Sequence, residues 1–461
     1  MQKLRIFILY FAVAAAGLPG AETPASPPAP VAATPPATIT ATAQPDALPK
    51  DWIDPDTGHR IVRLSEEDNT QSLYFHQNPY TPDGKKLVVT TPDGIATINL
   101  QTHEIKKVTL GNVPSARMDQ HDTTPADTRL SHIVVGKKTS TAFYLRGADI
   151  MATNLDTGVS RKIGTLPEEL RWGAGFTVNA DETLLAGAGN AEPGPMGAIG
   201  PDWAGNQALP QRLRALVPMV LYTVDLKTGE VKKFFHADHD WLNHVQFSPT
   251  DPTLLMYCHE GPWDQVDRIW QIHVNGGEPK LLHSRTMPME IAGHEFWAAD
   301  GKSAWYDLQT PKSQVFWVAG EDLATGQRTR YSLPINEWSV HYNISPDGKF
   351  FAGDGGGPTS VARGNNGQWI YLFTPDASQE TTLEVGGEKV KVDQFKAERL
   401  ASLAKHDYTL EPNVSFTPDM KWIVFRSNML GAAHGSHVFA VEIAKAGQAD
   451  VKHDIPAVIN P

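Results

Sequence analysis

Beyond about residue 50 the chain alternates short apolar runs with small polar clusters, and two phrases recur where one gives way to the other. In the first phrase an aromatic or apolar residue leads into Ser/Thr-Pro-Asp-Gly, and a β-rich run follows. Its clearest copies are Tyr80-Thr81-Pro82-Asp83-Gly84, Phe247-Ser248-Pro249-Thr250-Asp251, Trp297-Ala298-Ala299-Asp300-Gly301, Ile344-Ser345-Pro346-Asp347-Gly348 and Phe416-Thr417-Pro418-Asp419. Weaker copies are Thr124-Pro125-Ala126-Asp127 and Val178-Asn179-Ala180-Asp181. The runs that follow, such as Lys86-Leu87-Val88-Val89-Thr90 and Trp422-Ile423-Val424-Phe425, read as strands entered through a tight turn.

The second phrase interleaves with the first, as in Asn99-Leu100-Gln101-Thr102, Asn154-Leu155-Asp156-Thr157-Gly158, Asp225-Leu226-Lys227-Thr228-Gly229 and Asp322-Leu323-Ala324-Thr325-Gly326, with a looser copy at Val274-Asn275-Gly276-Gly277. In these hairpin turns Asp or Asn bonds its own backbone and Gly supplies positive φ. The phrases recur roughly every 45 to 70 residues, a period that suits four-stranded blades around an axis. They predict an all-β fold, a seven-bladed β-propeller forming one domain over residues 50–461. Residues 191–216 are too long for a blade turn and predict a loop over one face.

The first 49 residues have a different pattern. Lys3 and Arg5 precede an apolar run over residues 6–16 and then small residues suited to cleavage, which predicts a signal peptide over 1–21. The run is too short to span a bilayer. Residues 22–49 form a Pro/Ala-rich linker. A periplasmic or secreted protein is expected, with no membrane attachment after cleavage, because the cleavage region holds no cysteine for a lipid anchor.

Composition agrees with this picture. Among 461 residues 20% are charged, and 38 Gly and 35 Pro argue against a coiled coil or a mostly helical protein. Twelve Trp, 17 Phe and 11 Tyr argue against global disorder. Cys258 is the single cysteine and lies in an apolar run, so no internal disulfide exists and packing must supply stability. The formal charge of −12, more negative once Lys3 and Arg5 are removed, argues against nucleic acid or anionic membrane as a partner.

Candidate chemistry comes from one register of the repeat. Counting back six positions from the Asp of each first phrase gives Gln77, His121, Gly175, His294, His341 and Asn413, and allowing for the longer turn before Asp251 adds His244. Four of these seven are His. A propeller's innermost strands carry such positions toward the central channel, so the pattern predicts a polar funnel able to hold a metal and a base. With Glu411 two residues from Asn413, the donors suit Mn²⁺, with Ca²⁺ also compatible. His76 and His132 are expected near blade edges in structural hydrogen bonds, and His434 and His437, in a Gly-rich turn, receive no role. No G-x-S-x-G turn is present, so a peptidase of the propeller-containing kind lacks its nucleophile.

The residues from His244 to Pro252, with Cys258-His259-Glu260-Gly261-Pro262-Trp263 and Asp267-Arg268-Ile269-Trp270, resemble the oligogalacturonate lyases, TolB-like propellers of polysaccharide lyase family 22. Gly293-His294-Glu295-Phe296-Trp297, the Gly353-Asp354-Gly355 turn and Phe425-Arg426-Ser427-Asn428-Met429 carry the same resemblance. It implies metal-dependent β-elimination on uronic-acid oligosaccharides, with His244 as base, His294 as a metal ligand and a carboxylate-neutralising arginine at Arg212 or Arg214. His259, Arg268, His341 and Arg426 are expected to contact substrate. The family pattern has a His pair around a proline, with a Gln three residues earlier. This chain has Glu411-Pro412-Asn413 and Tyr408 there, which assigns Glu411 and Asn413 to the metal with harder donors. The competing reading is a non-catalytic TolB-like propeller that binds a glycan or a protein partner.

Overall fold

The computed structural model describes residues 49–447, apart from 116–124, 126, 172, 174, 194–207, 359 and 361–367. The expected signal peptide, nearly all of the linker, His121 and most of the expected 191–216 loop lie outside the described residues. The end of that segment is a short helix, Ala208–Ala215, where a loop was expected.

The rest is a β-propeller. One sheet is Gln71–Ser72, Lys86–Thr91, Gly94–Asn99 and Ile105–Leu110, and the next is Leu130–Val135, Thr141–Arg146, Asp149–Asn154 and Ser160–Thr165. Thr177–Val178, Leu184–Asn190, Met219–Asp225 and Val231–Ala237 make a third, and Trp241–Phe247, Leu254–Glu260, Ile269–His273 and Lys280–Leu281 a fourth. Two further antiparallel runs follow. Ile291–Trp297, Ser303–Gln309, Phe316–Asp322 and Arg328–Leu333 form one; Tyr342–Ile344, Phe351–Gly353, Trp369–Pro375 and Glu388–Ser402 form the other. They join into one sheet because Arg328–Leu333 pairs in parallel with the long strand Glu388–Ser402. In the last sheet Ser415–Phe416, Trp422–Ser427 and His437–Lys445 are completed by His59–Arg63 and Asp51–Ile53 from the chain's other end. Early and late strands paired in one sheet join the two ends of the chain and close the ring of sheets.

The repeated phrases fold as their chemistry dictates. In the inner turns Thr81, Ser345 and Thr417 donate hydroxyls to Asp83, Asp347 and Asp419 at 2.7, 2.7 and 2.6 Å. Gly84, Gly301 and Gly348 adopt φ of 66°, 68° and 74°, which only glycine takes without strain. In the outer turns Asn99 Oδ1 accepts from the Gln101 and Thr102 amides, both at 2.9 Å, and Asp225 Oδ1 accepts from Lys227 and Thr228 at 2.9 and 2.7 Å. Thr124 and Ala126 of the weak copy at 124–127 lie outside the described residues. The turn of that sheet lies between Leu130–Val135 and Thr141–Arg146, where the Gly136 amide donates to the Thr141 carbonyl.

Apolar faces pack between sheets. The most aromatic cluster joins Phe75, Phe296, Phe316, Trp338, Tyr342, Phe351, Phe373 and Phe395, all buried. Each fully buried large side chain contributes about 1.5–3 kcal/mol, so these interlocked clusters replace the disulfides that one cysteine cannot form. The first strands of neighbouring sheets touch each other across the middle: Phe247 N–H donates to Thr177 Oγ1 at 2.9 Å, and Gln246 Nε2 to the Glu295 carbonyl at 2.8 Å. That convergence sets the position of the candidate site.

Candidate active site

The backbone aims the central side chains. His132, His244, His294 and Asn413 have φ of 57°, 45°, 50° and 54°, a left-handed conformation uncommon outside glycine. In three of the sheets the pairing register breaks at this point, between Ser131 and Val134, Asn243 and Gln246, and Gly293 and Phe296. A β-bulge re-aims a side chain and tightens the local twist. Counting six back from the true turn of the second sheet, at Lys138, reaches His132. His132 therefore takes the place that the weak phrase gave to His121, and it sits on the bulge of its sheet's first strand. Burial holds its imidazole near pKa 4.

The side chains converge tightly. The His294 and His341 rings lie 4.6 Å apart, His244 and His76 6.2 Å, and Tyr74 stands 5.9 Å from the His244 ring and 5.3 Å from that of His341. His76, expected to be structural, thus belongs to the central cluster. Burial, with the positive potential of neighbouring imidazoles, pushes His76 and His294 well below the ordinary histidine range. Burial raises the Tyr74 hydroxyl well above its usual value, and nearby carboxylates add to that.

His244 differs because two carboxylates face it. Its Nδ1 lies 3.3 Å from Glu295 Oε1, and its Nε2 lies 4.0 Å from Glu260 Oε2, beyond hydrogen-bond reach. Burial opposes its positive charge, but Glu295 and Glu260 outweigh burial and raise its pKa above 6.5. Glu295 is fully buried, and neither of its carboxylate oxygens has a hydrogen-bond partner among the described residues. Glu260 is bound by Arg268 through Nη1 to Oε1, and through Nη2 to Oε2 at 3.3 Å. Burial favours its neutral form, but Arg268 and His244 together lower its pKa to about 2.

The arginines have distinct surroundings. Arg268, expected to contact substrate, is 2% exposed, lies 4.2 Å over the Trp263 ring and is tied to Glu260. Arg426 donates Nε to the Glu411 carbonyl at 2.6 Å and Nη1 to Gln71 Oε1 at 3.1 Å, bracing the segment that carries Glu411. On the short helix Arg214 is exposed, whereas Arg212 is buried, 5.5 Å over Trp241, with Nη1 lacking a partner among the described residues. His259 has Asp240 at 3.6 Å. Cys258 is a buried packing residue, its thiol pushed well up by burial.

Among the described residues His244, Cys258 and Glu260 alone offer three donor atoms within 4.8 Å of one another, but burial pushes the soft thiol's pKa well up and Arg268 already neutralises Glu260. His294, His341 and Glu411 are more widely spaced, but their chemistry fits better: His294 Nδ1 is buried without a hydrogen-bond partner among the described residues, and His341 Nε2 faces Glu411 Oε2 at 3.7 Å. Imidazole nitrogen and carboxylate oxygen around an unsatisfied buried atom suit an ion of intermediate hardness. Asn413 is buried, its Oδ1 accepting from the Phe75 amide at 3.0 Å and its Nδ2 donating to the Glu411 carbonyl at 3.1 Å.

Sequence reasoning quoted Glu260, Glu295 and Asp354 within motifs but gave them no role, and it did not mention Tyr74. Glu260 and Glu295 each follow a histidine already noted, and a carboxylate next to a candidate base was an available signal. Tyr74 enters from a loop outside the repeat, and no spacing marks it.

The comparisons follow this geometry. The model of the oligogalacturonate lyase family matches residues 50–442. The oligogalacturonate lyase of Dickeya dadantii (strain 3937) is 24% identical over 392 residues, 81% of this chain and 92% of that protein. The oligogalacturonide lyase of Pectobacterium atrosepticum is 23% identical over 395 residues, 82% and 92% of the two chains. Among solved structures, an oligogalacturonate lyase from Vibrio parahaemolyticus superposes with a TM-score of 0.67 at 21% identity, and an oligogalacturonate lyase in complex with manganese with 0.65 at 24%. Each covers 86% of this chain and 96% of its own. With a matched propeller over nearly all of the described residues, the chain belongs to the oligogalacturonate lyase family.

Proposed function

We propose that the protein cleaves oligogalacturonate, or a related uronic-acid oligosaccharide, by β-elimination to an unsaturated product. The observation that carries this reading is His244, held at the axis between the buried carboxylates Glu295 and Glu260 in a chain of the oligogalacturonate lyase family. Glu295 beside Nδ1 favours the tautomer that leaves Nε2 free to accept a proton, and the raised pKa makes His244 a stronger base than a free histidine. His244 removes the C5 proton of the uronate, the electron pair forms the C4–C5 double bond, and the C4–O4 bond breaks with its oxygen taking a proton from water. Arg212, with its buried Nη1 unpartnered among the described residues, pairs with the uronate carboxylate in preference to exposed Arg214.

His294 and Glu411, with Asn413 bonded to the Glu411 carbonyl beside them, would hold a divalent cation, which would stabilise the charge that the C6 carboxylate gains as the C5 proton leaves. Manganese is the ion of choice, supported by the donor chemistry and by the relative solved with it. His341 stands in the same cluster, its ring 4.6 Å from that of His294.

Seven blades account for the sheets, because the long joined sheet contains two antiparallel runs of four strands. Residues 1–21 act as signal peptide and 22–49 as linker, which puts the propeller in the periplasm or outside the cell. The central acids and bases disfavour a purely binding propeller. In the assay, wild type forms product absorbing in the far ultraviolet, and a chelator and His244→Ala each abolish it. Turnover by His244→Ala at the wild-type rate would refute the base assignment. Oligogalacturonate binding with no product from wild type at any metal would favour the non-catalytic reading.

A further inference from the structure

We propose that His341, oriented by Asp354, is a metal donor of this centre, and that Asn413 is a brace and no donor. The inference rests on the reading of the centre as a divalent-metal site and assigns this chain's own donors within it.

His341 is fully buried, and Asp354 grips it twice: Oδ2 lies 2.8 Å from Nδ1, and Oδ1 accepts the His341 backbone amide at 2.8 Å. A carboxylate on one ring nitrogen fixes the proton there and turns the other nitrogen's lone pair outward, as the outer partners of metal-bound histidines do. That outward atom, Nε2, faces Glu411 Oε2 at 3.7 Å and the Tyr74 hydroxyl at 3.3 Å. The His294 ring stands 4.6 Å away with its Nδ1 buried and unpartnered among the described residues. An imidazole and a carboxylate therefore flank the His341 ring, His294 from the preceding antiparallel run and Glu411 from the segment leading into the last sheet.

The residues at the other altered positions are occupied. Both ends of the Asn413 carboxamide are spent on Phe75 and Glu411 backbone groups, and its own amide donates to Asp354 Oδ2 at 3.1 Å. The Tyr408 hydroxyl donates to the Asp354 carbonyl at 3.1 Å. Both residues hold the loop that places Asp354. Glu411 thus offers one carboxylate and the neighbouring sheet one imidazole, His341, with Asn413 committed to backbone groups. A set with two nitrogen donors selects Mn²⁺ over Ca²⁺, which takes oxygen donors.

The test titrates the purified full chain with MnCl₂ and CaCl₂ by calorimetry and records pulsed electron paramagnetic resonance of bound Mn²⁺. Wild type is expected to bind Mn²⁺ more tightly than Ca²⁺ and to show couplings to two ¹⁴N donors. Asp354→Asn should weaken Mn²⁺ binding by about 10- to 100-fold, and His341→Gln by about 100-fold or more with loss of one ¹⁴N coupling. Asn413→Gly suits the positive φ and removes a brace but no donor, so it should keep both ¹⁴N couplings and lose far less affinity than His341→Gln. A single ¹⁴N coupling in wild type overturns the assignment even if His341→Gln fails to fold. So does unchanged binding by His341→Gln, or a loss in Asn413→Gly equal to the loss expected of His341→Gln. Wild type that binds no Mn²⁺ refutes the metal reading itself, an outcome distinct from a wrong donor.

Discussion

Replacing Glu295 with Gln tests the catalytic reading most directly, because it changes one charge and hardly any volume. Glu295 Oε1 lies 3.3 Å from His244 Nδ1. At an effective dielectric of about 20 that separation is worth about 5 kcal/mol of attraction for the protonated ring, before the opposing cost of burial is counted. The net result in the wild-type protein is a pKa above 6.5 despite burial. In Glu295→Gln burial and Arg268 prevail, so the pKa falls below that of a free histidine. The amide also has N–H groups to donate toward Nδ1, which moves the ring proton to Nε2, the nitrogen that must accept from substrate. Both effects weaken the base. The expected loss in kcat is about 10²- to 10⁴-fold, the span of a positioned general base. Because the base works when deprotonated, wild-type kcat/KM rises with pH through the raised pKa, and the acid limb in Glu295→Gln moves to lower pH. Initial rates of unsaturated-product formation across the pH range read both quantities. An acid limb at the wild-type pH, or kcat within about twofold of wild type, would refute the argument that Glu295 sets the protonation of His244.

Two further predictions concern stability. Arg268→Ala leaves Glu260 buried without its partner, so urea unfolding should show a loss of about 3–5 kcal/mol, and Arg268→Met with Glu260→Leu should recover most of it; a single-variant loss under 1 kcal/mol on the same scale of estimate contradicts the buried pair. Asp307 is fully buried, and burial raises its pKa from 3.8 to about 7 against the hydrogen bonds from Trp338 and Gln309. The folded protein therefore binds more protons than the unfolded chain between those values, so this group's contribution to stability falls as pH rises through that window, by roughly 4 kcal/mol in all. Asp307→Asn should flatten that slope in urea midpoints measured at pH 4, 5.5 and 8, and an unchanged slope would place the dependence elsewhere.

The inner-turn Asp and the outer-turn Asx-Gly phrases were legible because their chemistry is local: a hydroxyl, a carboxylate and a glycine within five residues fix a turn wherever it occurs. The same register placed His244, His294, His341 and Asn413 on converging strands. It failed in the second sheet, where a Pro-Asp pair that resembles the phrase lies in a connection and the actual turn, with Lys137 and Lys138, lacks the signature. His132 was consequently passed over. Arg212 and Arg214 differ by half a helical turn, and only the packing of the helix decided that one is buried over Trp241 and the other exposed.

By itself the sequence determined the strands, their turns and the closed propeller, because strand periodicity and turn propensity act between near neighbours. It also determined which residue types reach the axis. The tertiary structure alone decided what each of those residues does. Asp354 grips His341, Asn413 spends its carboxamide on Phe75 and Glu411, and Arg268 neutralises Glu260. A hydrogen bond of 2.8 Å is set by how the sheets are packed, and residues that meet at the axis from different sheets carry no mark of that meeting in the order of the chain.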